Sequence, residues 1–353
     1  MIVAHVDLDA FFAAVEELDD PSLRAKPLVV GGDPHGRGVV ATANYVARRF
    51  GIHSAMSCAE ARRRCPSAVF VRPRHDRYRE LSRSVWSTIR EVAPVVEQTG
   101  IDEGYLDLSD EAPDFLAARR LAEAIQTAVR GTTNLTCSLG ISSCKVVAKI
   151  ASDRRKPGGI TVVPAGREAE FLAPLDVRKL PGVGPRAEQR LRPAGIETIG
   201  ALASLSDDEL ATLLAAGKVG LELRDRARGI DGRRVEPVSE PPVSISHEET
   251  FDRDVAERAR LHEELRRMSE SLSRRLSDRG LLARTVTTKL RYGDFTTRTR
   301  TTTLASGTDE ADRIHALACE LLDRALDQRP GALRLVGVGV SGLGTEAAQL
   351  ALV

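Results

Sequence analysis

The order of strand-like and helix-like segments changes twice along this chain of 353 residues. Short apolar strands alternate with helices over residues 1–165, residues 166–232 have the pattern of short-looped helices, and strands and helices alternate again after residue 242. The stretch 233–242 has three prolines and little apolar content, which is typical of a linker. Since a domain has about 150 residues, the sequence predicts an α+β protein of several domains.

Charge, hydropathy and cysteine content exclude several classes of protein. The chain has 51 basic and 50 acidic residues, so its overall charge indicates no nucleic-acid partner. No apolar run approaches the roughly 18 residues of a membrane helix, and the N-terminus lacks the basic start of a secretory signal. The five cysteines form no CxxC pair, which argues against a zinc cage or a disulfide framework. We therefore expect a cytoplasmic protein that does not contact membranes.

Acidic residues stand at the ends of two otherwise apolar strands. A short strand over residues 2–6 ends at Asp7, and Asp9 is the expected N-cap of a helix over residues 10–18. Asp102 and Glu103 lie between glycines at the predicted tip of a hairpin. One such acid is usually a cap or a turn former. Two clusters favour a site for hard divalent cations, as phosphoryl transfer with two metal ions requires.

Basic residues gather around a helix predicted over residues 143–151. Lys145 and Lys149 are four apart and share a helical face, while Lys156 enters the glycine-rich turn 157–159, where it can approach a phosphate. A solvated basic helix end is an equally good interpretation. Tyr45 and Arg48, three apart, would place a phenol and a guanidinium on one side of a short helix. That pair alone is most often a surface feature.

Three later segments suggest binding surfaces. The turn Leu-Pro-Gly-Val-Gly-Pro over residues 180–185 lies between helices and is suited to a helix-hairpin-helix contact with DNA phosphates, or is a plain turn. The hairpin predicted over residues 284–304 has one apolar face and one polar, basic face, which suits a phosphate backbone or is an ordinary solvated sheet face. The apolar residues that end the chain over 349–353 suit a groove in a partner, although loose termini are commonly disordered.

Taken together, four segments resemble the Y-family translesion DNA polymerases of the DinB (polymerase IV) branch. They are residues 6–16 (VDLDAFFAAVE), 43–51 (ANYVARRFG), 101–107 (IDEGYLD) and 148–159 (AKIASDRRKPGG). The resemblance spans almost the whole chain and includes the turn at 180–185. It implies a right-hand polymerase whose domains are a palm (1–15 and 74–165), small fingers (16–73), a helical helix-hairpin-helix thumb (166–232), the linker (233–242), a C-terminal α/β little finger (243–345) and a tail (346–353).

The resemblance also implies roles for individual residues. Asp7, Asp102 and Glu103 would be the catalytic carboxylates and, with the Leu8 carbonyl, the ligands of two Mg²⁺ ions. Phe12 would be the steric gate that excludes ribonucleotides. The residues implied to bind the incoming dNTP are Phe11, Phe12, Tyr45, Arg48 and Lys156. Those implied to bind primer-template DNA are Gly182, Gly184, Lys289, Arg291, Arg298 and Arg300. Those implied to bind a sliding clamp are Gln349, Leu350 and Leu352.

Three positions depart from the family pattern. Gly100 and Gly104 stand where the family commonly has Ser and Ala, which would loosen the hairpin and affect rate more than activity. Val353 stands where the clamp motif often has an aromatic residue, so we expect weaker clamp binding.

The predicted function is DNA-dependent DNA polymerase activity by two-metal phosphoryl transfer, in a monomer that copies damaged templates with low fidelity. The alternatives are a non-catalytic polymerase-like adaptor that binds DNA and the clamp, and a nucleotidyl cyclase. An adaptor of this kind would lack the acidic ligands, and a cyclase would need neither the turn at 180–185 nor a basic terminal domain.

Overall fold

A computed structural model describes residues 1–214, 218–238 and 241–345. The chain divides into two compact units, the first comprising residues 1–34 and 38–239 and the second residues 35–37 and 240–353. The division falls inside the predicted linker, and helices and sheets in both units confirm the α+β class. The finer division into palm, fingers and thumb stays a prediction.

A five-stranded sheet forms the centre of the first unit, with strand order β5-β6-β1-β7-β8. Its strands are β1 (Val3–Leu8), β5 (Val96–Gln98), β6 (Glu103–Asp107), β7 (Cys137–Ser142) and β8 (Ile160–Val162). The central strand β1 is antiparallel to both β6 and β7. The predicted hairpin that carries Asp102 and Glu103 is confirmed as β5 and β6.

Helices cover the two faces of this sheet with different partners. The helices are α1 (Phe11–Asp19), α4 (His75–Val92), α5 (Phe115–Thr133) and α6 (Lys145–Ser152). Trp86 of α4 and Ile125 of α5 share a core cluster with Val6 of β1. Ala148 of α6 packs instead with Val3, so α6 covers the opposite face. Since alternate strand residues share a face, Asp7 lies on the face that α6 covers.

The rest of the first unit is a small sheet and a helical region. The small sheet has the order β3-β2-β4 and consists of β2 (Leu28–Gly31), β3 (Val40–Ala43) and β4 (Val69–Val71), accompanied by α2 (Tyr45–Arg48) and α3 (Cys58–Arg64). The helical region contains α7 (Glu168–Leu172), α8 (Pro185–Leu191), α9 (Ile199–Ala203), α10 (Asp207–Leu214) and α11 (Lys218–Ala227). The described part of 166–232 contains no strand longer than an isolated bridge, which confirms the helical prediction.

The second unit is a four-stranded antiparallel sheet with two helices. The elements are β9 (Ser244–Val255), α12 (Arg258–Ser277), β10 (Leu282–Tyr292), β11 (Thr297–Thr308), α13 (Ala311–Gln328) and β12 (Leu333–Gly344), and the strand order is β11-β10-β12-β9. Leu265 and Leu322 from the two helices pack on Val286, Leu290 and other buried strand residues. The alternate residues of the strands therefore form an open face without helices. None of the helices in the described part of the chain is long and apolar enough to span a membrane.

Candidate active site

Three acidic residues meet at one end of the five-stranded sheet. Asp7 near the end of β1 lies directly opposite Glu103 at the start of β6, in an antiparallel register. The backbone N–H of Leu8 donates to the carbonyl oxygen of Asp102 at 2.9 Å, which fixes the turn before β6 against the end of β1. Directly opposed residues of antiparallel strands share a face. The structure thus brings together acids that lie 95 residues or more apart in sequence.

Lysine side chains neutralise two of these carboxylates. Lys156 Nζ donates to Asp7 Oδ1 at 2.7 Å and to Asp153 Oδ1 at 2.6 Å. Lys149 of α6 donates to Glu103 Oε2 at 2.5 Å, and His5 Nε2 lies 3.5 Å from the same oxygen. No comparable ion pair reaches the Asp102 carboxylate from any described residue.

Burial and neighbouring charge shift the pKa values of the three carboxylates in different directions. Burial raises the pKa of Asp7 to about 6, against the opposing effect of Lys156 and with a smaller contribution from Asp102. Burial and then the charge of Glu103 raise the pKa of Asp102. The hydrogen bond from His5, followed by that from Lys149, lowers the pKa of Glu103 to about 2 despite its burial. At Asp7 and Asp102 the cost of burying the charged form therefore exceeds what the neighbouring lysines offset.

This set of donors fits a divalent cation. The oxygens are hard ligands of the kind that Mg²⁺ prefers. A cation would offset the cost of burying the charged carboxylates and the repulsion between them, which raise the pKa values of Asp7 and Asp102. Within the described ranges, no three His, Cys, Asp or Glu side chains are arranged to hold a metal as they stand. Asp7 and Glu103 are each paired with a lysine instead.

Asp9 has a different role from the predicted one. The helix after it begins at Phe11, its N-cap residue is Ala10 in the left-handed region, and no side chain caps it, so the predicted N-cap is wrong. Asp9 is buried and accepts hydrogen bonds from Ser138 Oγ at 2.7 Å, from the N–H of Gly158 at 2.8 Å and from Tyr45 Oη at 3.3 Å. It therefore joins β7, the glycine-rich turn and α2 at the end of β1.

Tyr45 and Arg48 do share one side of a helix. Asn44 caps α2 by accepting the N–H of Ala47 at 2.9 Å, which sets where the helix starts. The Arg48 guanidinium lies over the Tyr45 ring, 4.9 Å from its centre. Asp9 accepts hydrogen bonds from the Tyr45 hydroxyl and from the N–H of Gly158, in the turn after Lys156. The phenol therefore lies close to the carboxylate end of the sheet.

The two adjacent phenylalanines are in different environments. Phe11 is 2% exposed and its side chain belongs to the core, while its predicted contact with substrate stays a prediction. Phe12 is half-buried and stacks on Tyr78, with ring centres 4.2 Å apart. Tyr78 is held by a hydrogen bond from its hydroxyl to Glu16 at 2.5 Å. Tyr78 was not predicted as a site residue, because nothing in the spacing of α4 shows that its ring packs against a ring of α1.

The glycine-rich turn at 180–185 lies where α8 begins. Gly182 has a φ of 108°, which only glycine adopts easily. The N–H of Gly184 donates to the carbonyl oxygen of Gly182 at 3.2 Å, so this donor is engaged within the turn. Gly182 itself is exposed.

The basic residues of the hairpin predicted over residues 284–304 lie on two different faces. The hairpin is confirmed as β10 and β11, but Arg298 lies opposite Leu290 and Arg300 opposite Thr288, on the face that the helices cover. Arg300 accordingly contacts Gln328 of α13. The basic side chains of β10 and those of β11 therefore lie on different faces, because cross-strand register decides which residues share a face.

Lys289 and Arg291 remain on the open face of the sheet. Opposite them along β11 lie exposed threonines, including Thr297 and Thr299. Lys289 Nζ donates to Glu248 at 2.8 Å and Arg291 Nε to Thr297 Oγ1 at 2.9 Å. The predicted clamp-binding residues Gln349, Leu350 and Leu352 lie outside the described residues.

Comparison with known proteins gives consistent matches over nearly the whole chain. The impB/mucB/samB family model matches residues 6–153, the C-terminal domain model of that family matches residues 242–352, and the IMS family HHH motif matches residues 165–196. The DNA polymerase IV of Halorhodospira halophila is 44% identical over 97% of this chain and 95% of its own length. That of Alkalilimnicola ehrlichii is 43% identical over 99% and 98%.

Solved structures agree with these matches. A Y-family DNA polymerase chimera of Dbh and Dpo4 has a TM-score of 0.88 at 27% identity, covering 98% of this chain and 100% of the chimera. DinB from Sulfolobus solfataricus has a TM-score of 0.66 at 27% identity, covering 97% of this chain and 98% of its own.

Proposed function

This chain belongs to the impB/mucB/samB family of Y-family DNA polymerases, and on that premise we propose how its residues carry out the reaction. It is a DNA-directed DNA polymerase that performs low-fidelity translesion synthesis, with primer-template DNA and dNTPs as substrates. Its right-hand fold and its dependence on a divalent metal follow from the family.

The meeting of Asp7, Asp102 and Glu103 at one sheet end carries the proposal. Asp7 and Glu103 are opposite each other in register, and the turn at Asp102 is bonded to the end of β1. We assign these three carboxylates, with the Leu8 carbonyl, to two Mg²⁺ ions. Bound Mg²⁺ supplies charge stabilisation at the transferring phosphoryl group and activation of the primer 3′-hydroxyl.

Lys156, Tyr45 and Arg48 are assigned to the incoming triphosphate. Lys156 lies between Asp7 and Asp153, so its ammonium is placed at the edge of the carboxylate end. Arg48 is exposed beside Tyr45, whose hydroxyl contacts the same Asp9 that holds the turn after Lys156. Fixed donors of this kind hold a phosphate chain in line and lower the entropic cost of reaction.

Phe12 is proposed as the steric gate. Its ring is held flat against Tyr78, and Tyr78 is held by Glu16, so the ring has little freedom to move away from a ribose 2′-oxygen. A rigid apolar wall excludes an added hydroxyl more strongly than a mobile one does.

Two surfaces are proposed to bind DNA without reading its sequence. The first is the exposed turn at Gly182, beside a cavity of about 130 Å³ that is lined in part by Lys149, Arg154 and Lys179. Arg154 and Lys179 are exposed there. The second is the open face of the four-stranded sheet, with Lys289, Arg291 and its threonine rows. Lysine, arginine and hydroxyl groups are the usual donors to the phosphate backbone.

The remaining assignments concern the tail, the assembly and the compartment. We propose that residues 349–353 bind a sliding clamp, and that the protein acts as a cytoplasmic monomer. Deleting these five residues should abolish stimulation of synthesis by the clamp while basal synthesis continues. Stimulation that survives the deletion would place the tether elsewhere.

Primer extension on defined lesions tests the function as a whole. We expect Mg²⁺-dependent extension of a primer on undamaged DNA and past at least one class of damaged base, with each dNTP supplied singly to show misincorporation. Failure to extend any primer-template in the presence of Mg²⁺ would favour the adaptor instead. The retained carboxylates and the DNA polymerase IV relatives do not favour that alternative.

A further inference from the structure

Residues 229–236, which include the first part of the predicted linker, pack against the five-stranded sheet of the first unit. We call this segment the strap. Val235 is 7% exposed and packs in one apolar cluster with Val3 of β1, Tyr105 of β6 and Ala148 of α6. The Sγ of Cys144, next to α6, contacts the carbonyl oxygen of Gly229 at 3.4 Å. The strap is thus packed against the two strands that carry Asp7 and Glu103.

A pair of opposite charges holds the backbone of the strap. Lys145 Nζ donates to both carboxylate oxygens of Glu97 at 2.6 Å and to the carbonyl oxygen of Arg234 at 3.2 Å. Glu97 in turn accepts the backbone N–H of Glu236 at 2.8 Å. The Lys145 side chain is 6% exposed and lies over the Tyr105 ring. A buried ammonium is stable only while it keeps its partners, so this pair fixes the end of the strap to β5 and α6.

The strap also completes the start of α6. The N-cap residue of this helix, Cys144, makes no capping hydrogen bond through its side chain. Asp231 Oδ2 accepts the N–H of Val146 at 3.0 Å instead. The Asp231 carboxylate is 3% exposed and paired with Arg233. A carboxylate at this place satisfies an unpaired helical N–H and interacts favourably with the helix dipole.

Helix α6 connects the strap to the catalytic end of the sheet. One turn from Lys145, Lys149 donates to Glu103, and at the end of the helix the Ser152 hydroxyl lies 2.8 Å from Nδ1 of His5, the buried neighbour of Glu103. We propose that the strap is a positioning element for polymerisation: Asp231 fixes the start of α6, and α6 holds Lys149 and, through it, Glu103. This inference rests on the proposed role of Glu103.

Three variants of the full-length protein test the proposal. Asp231→Ala removes the acceptor for Val146, while Asp231→Asn keeps an oxygen at that place. Asp114→Ala is the matched control, because Asp114 caps α5 by accepting the N–H of Ala117 at 2.7 Å, and α5 carries none of the proposed site residues. The readouts are kcat and KM for dNTP in primer extension, and amide hydrogen exchange of α6.

We expect Asp231→Ala to lower kcat about tenfold with KM for dNTP unchanged, as displacement of a catalytic group does. Exchange of the α6 amides should be about fivefold faster, the effect of a lost helix cap. Asp231→Asn should keep most of the wild-type kcat and α6 protection, and Asp114→Ala should change neither kcat nor α6 exchange. A kcat for Asp231→Ala no lower than that of Asp114→Ala would overturn the coupling, and unchanged α6 exchange would overturn the capping.

Two further variants keep the outcomes distinct. If Asp231→Ala does not fold, Glu97→Gln weakens the hold on Lys145 and should lower kcat in the same way, whereas an unchanged kcat would overturn the proposal. Glu103→Gln in the same assay separates the inference from its premise. Synthesis at the wild-type rate by Glu103→Gln would remove the proposed catalytic role of Glu103, while α6 exchange in Asp231→Ala still reports whether the strap caps the helix.

Discussion

The carboxylate end of the five-stranded sheet and the open face of the four-stranded sheet both carry charge, but they hold it differently. Asp7 and Lys156 are about four-fifths buried, with side-chain exposures of 20% and 17%, and burial raises the pKa of Asp7. Lys289 and Glu248 on the open face are 29% and 36% exposed, among exposed threonines. Chemistry at a phosphoryl group needs charges removed from water, whereas a grip on a DNA backbone needs charges that stay accessible.

The largest expected effect concerns the carboxylates. Asp102→Asn and Glu103→Gln each remove a negative charge with little change in shape, and we expect Mg²⁺-dependent primer extension to fall by about 1,000-fold or more. Asp107→Asn is the control, since Asp107 ends the same strand and, among the described contacts, its carboxylate accepts hydrogen bonds only from Ser109. Single-turnover extension measures the rates. Similar losses of extension rate in all three variants would show that any loss of charge along β6 lowers the rate, and would contradict a specific role for Asp102 and Glu103.

The next effect concerns selection at the same end of the sheet. Phe12→Ala removes the ring that stacks on Tyr78, and discrimination against ribonucleotides should fall on the order of 100-fold. Phe11→Leu is a suitable control, because Phe11 is in the core and its replacement should lower stability without admitting ribonucleotides. The ratio of kcat/KM for dNTP and rNTP gives the answer, and an unchanged ratio in Phe12→Ala would remove its role as a gate.

A smaller effect tests the open face. Arg291→Ala should weaken primer-template binding several-fold and reduce the slope of log Kd against log salt concentration by about 1. Arg300→Ala is the control from the same hairpin, because the register places Arg300 on the helix-covered face beside Gln328. Equal salt slopes for the two variants would mean that the open face is not the surface that binds DNA.

The smallest effect concerns pH, where the two units should show opposite signs. A carboxyl whose pKa is raised on folding costs stability as pH rises past its unfolded value, so Asp7, with its pKa at about 6, opposes folding above that pH. Asp7→Asn should therefore increase the free energy of unfolding above pH 6, on the order of 1 to 2 kcal/mol, with no gain near pH 4. Thermal unfolding in EDTA at several pH values measures this.

Asp294 in the second unit provides the opposite case. Its hydrogen bond with Arg329 lowers its pKa to about 2, so its contribution to stability is present above its unfolded pKa near 3.8 and is lost as pH falls through 2. Asp294→Asn should slightly lower stability at neutral pH. If Asp7→Asn instead lowered the free energy of unfolding at pH 8, the opposite pH effects expected for Asp7 and Asp294 would be contradicted.

Local patterns in the sequence predicted most of the elements but not their pairing. Apolar alternation and glycine punctuation located β1, the hairpins and the helical region, because these signals act within a few residues. Spacing within one strand shows that Lys289 and Arg291 share a face, but the face of Arg298 depends on how β11 pairs with β10. That register is set by the turn between them and by core packing, which no single strand reveals.

The candidate site shows the same limit. The acids at strand ends were visible because charge there contrasts with apolar strands, and the structure places Asp7 opposite Glu103. The sequence did not show that Asp9 accepts from three distant groups, or that Asp231 caps a helix 85 residues earlier. Such contacts depend on tertiary packing, and a short polar side chain has the same local signature whether it caps its own helix or another.

A crystal structure with primer-template, a non-hydrolysable dNTP and Mg²⁺ tests the assignment of the carboxylates most directly. Metal density between Asp7 and the Asp102–Glu103 pair is expected, with Lys156 moved from Asp7 to the triphosphate. Mg²⁺ bound to the nucleotide alone, with Asp7 still paired to Lys156 and distant from Asp102, would contradict the proposed two-metal site.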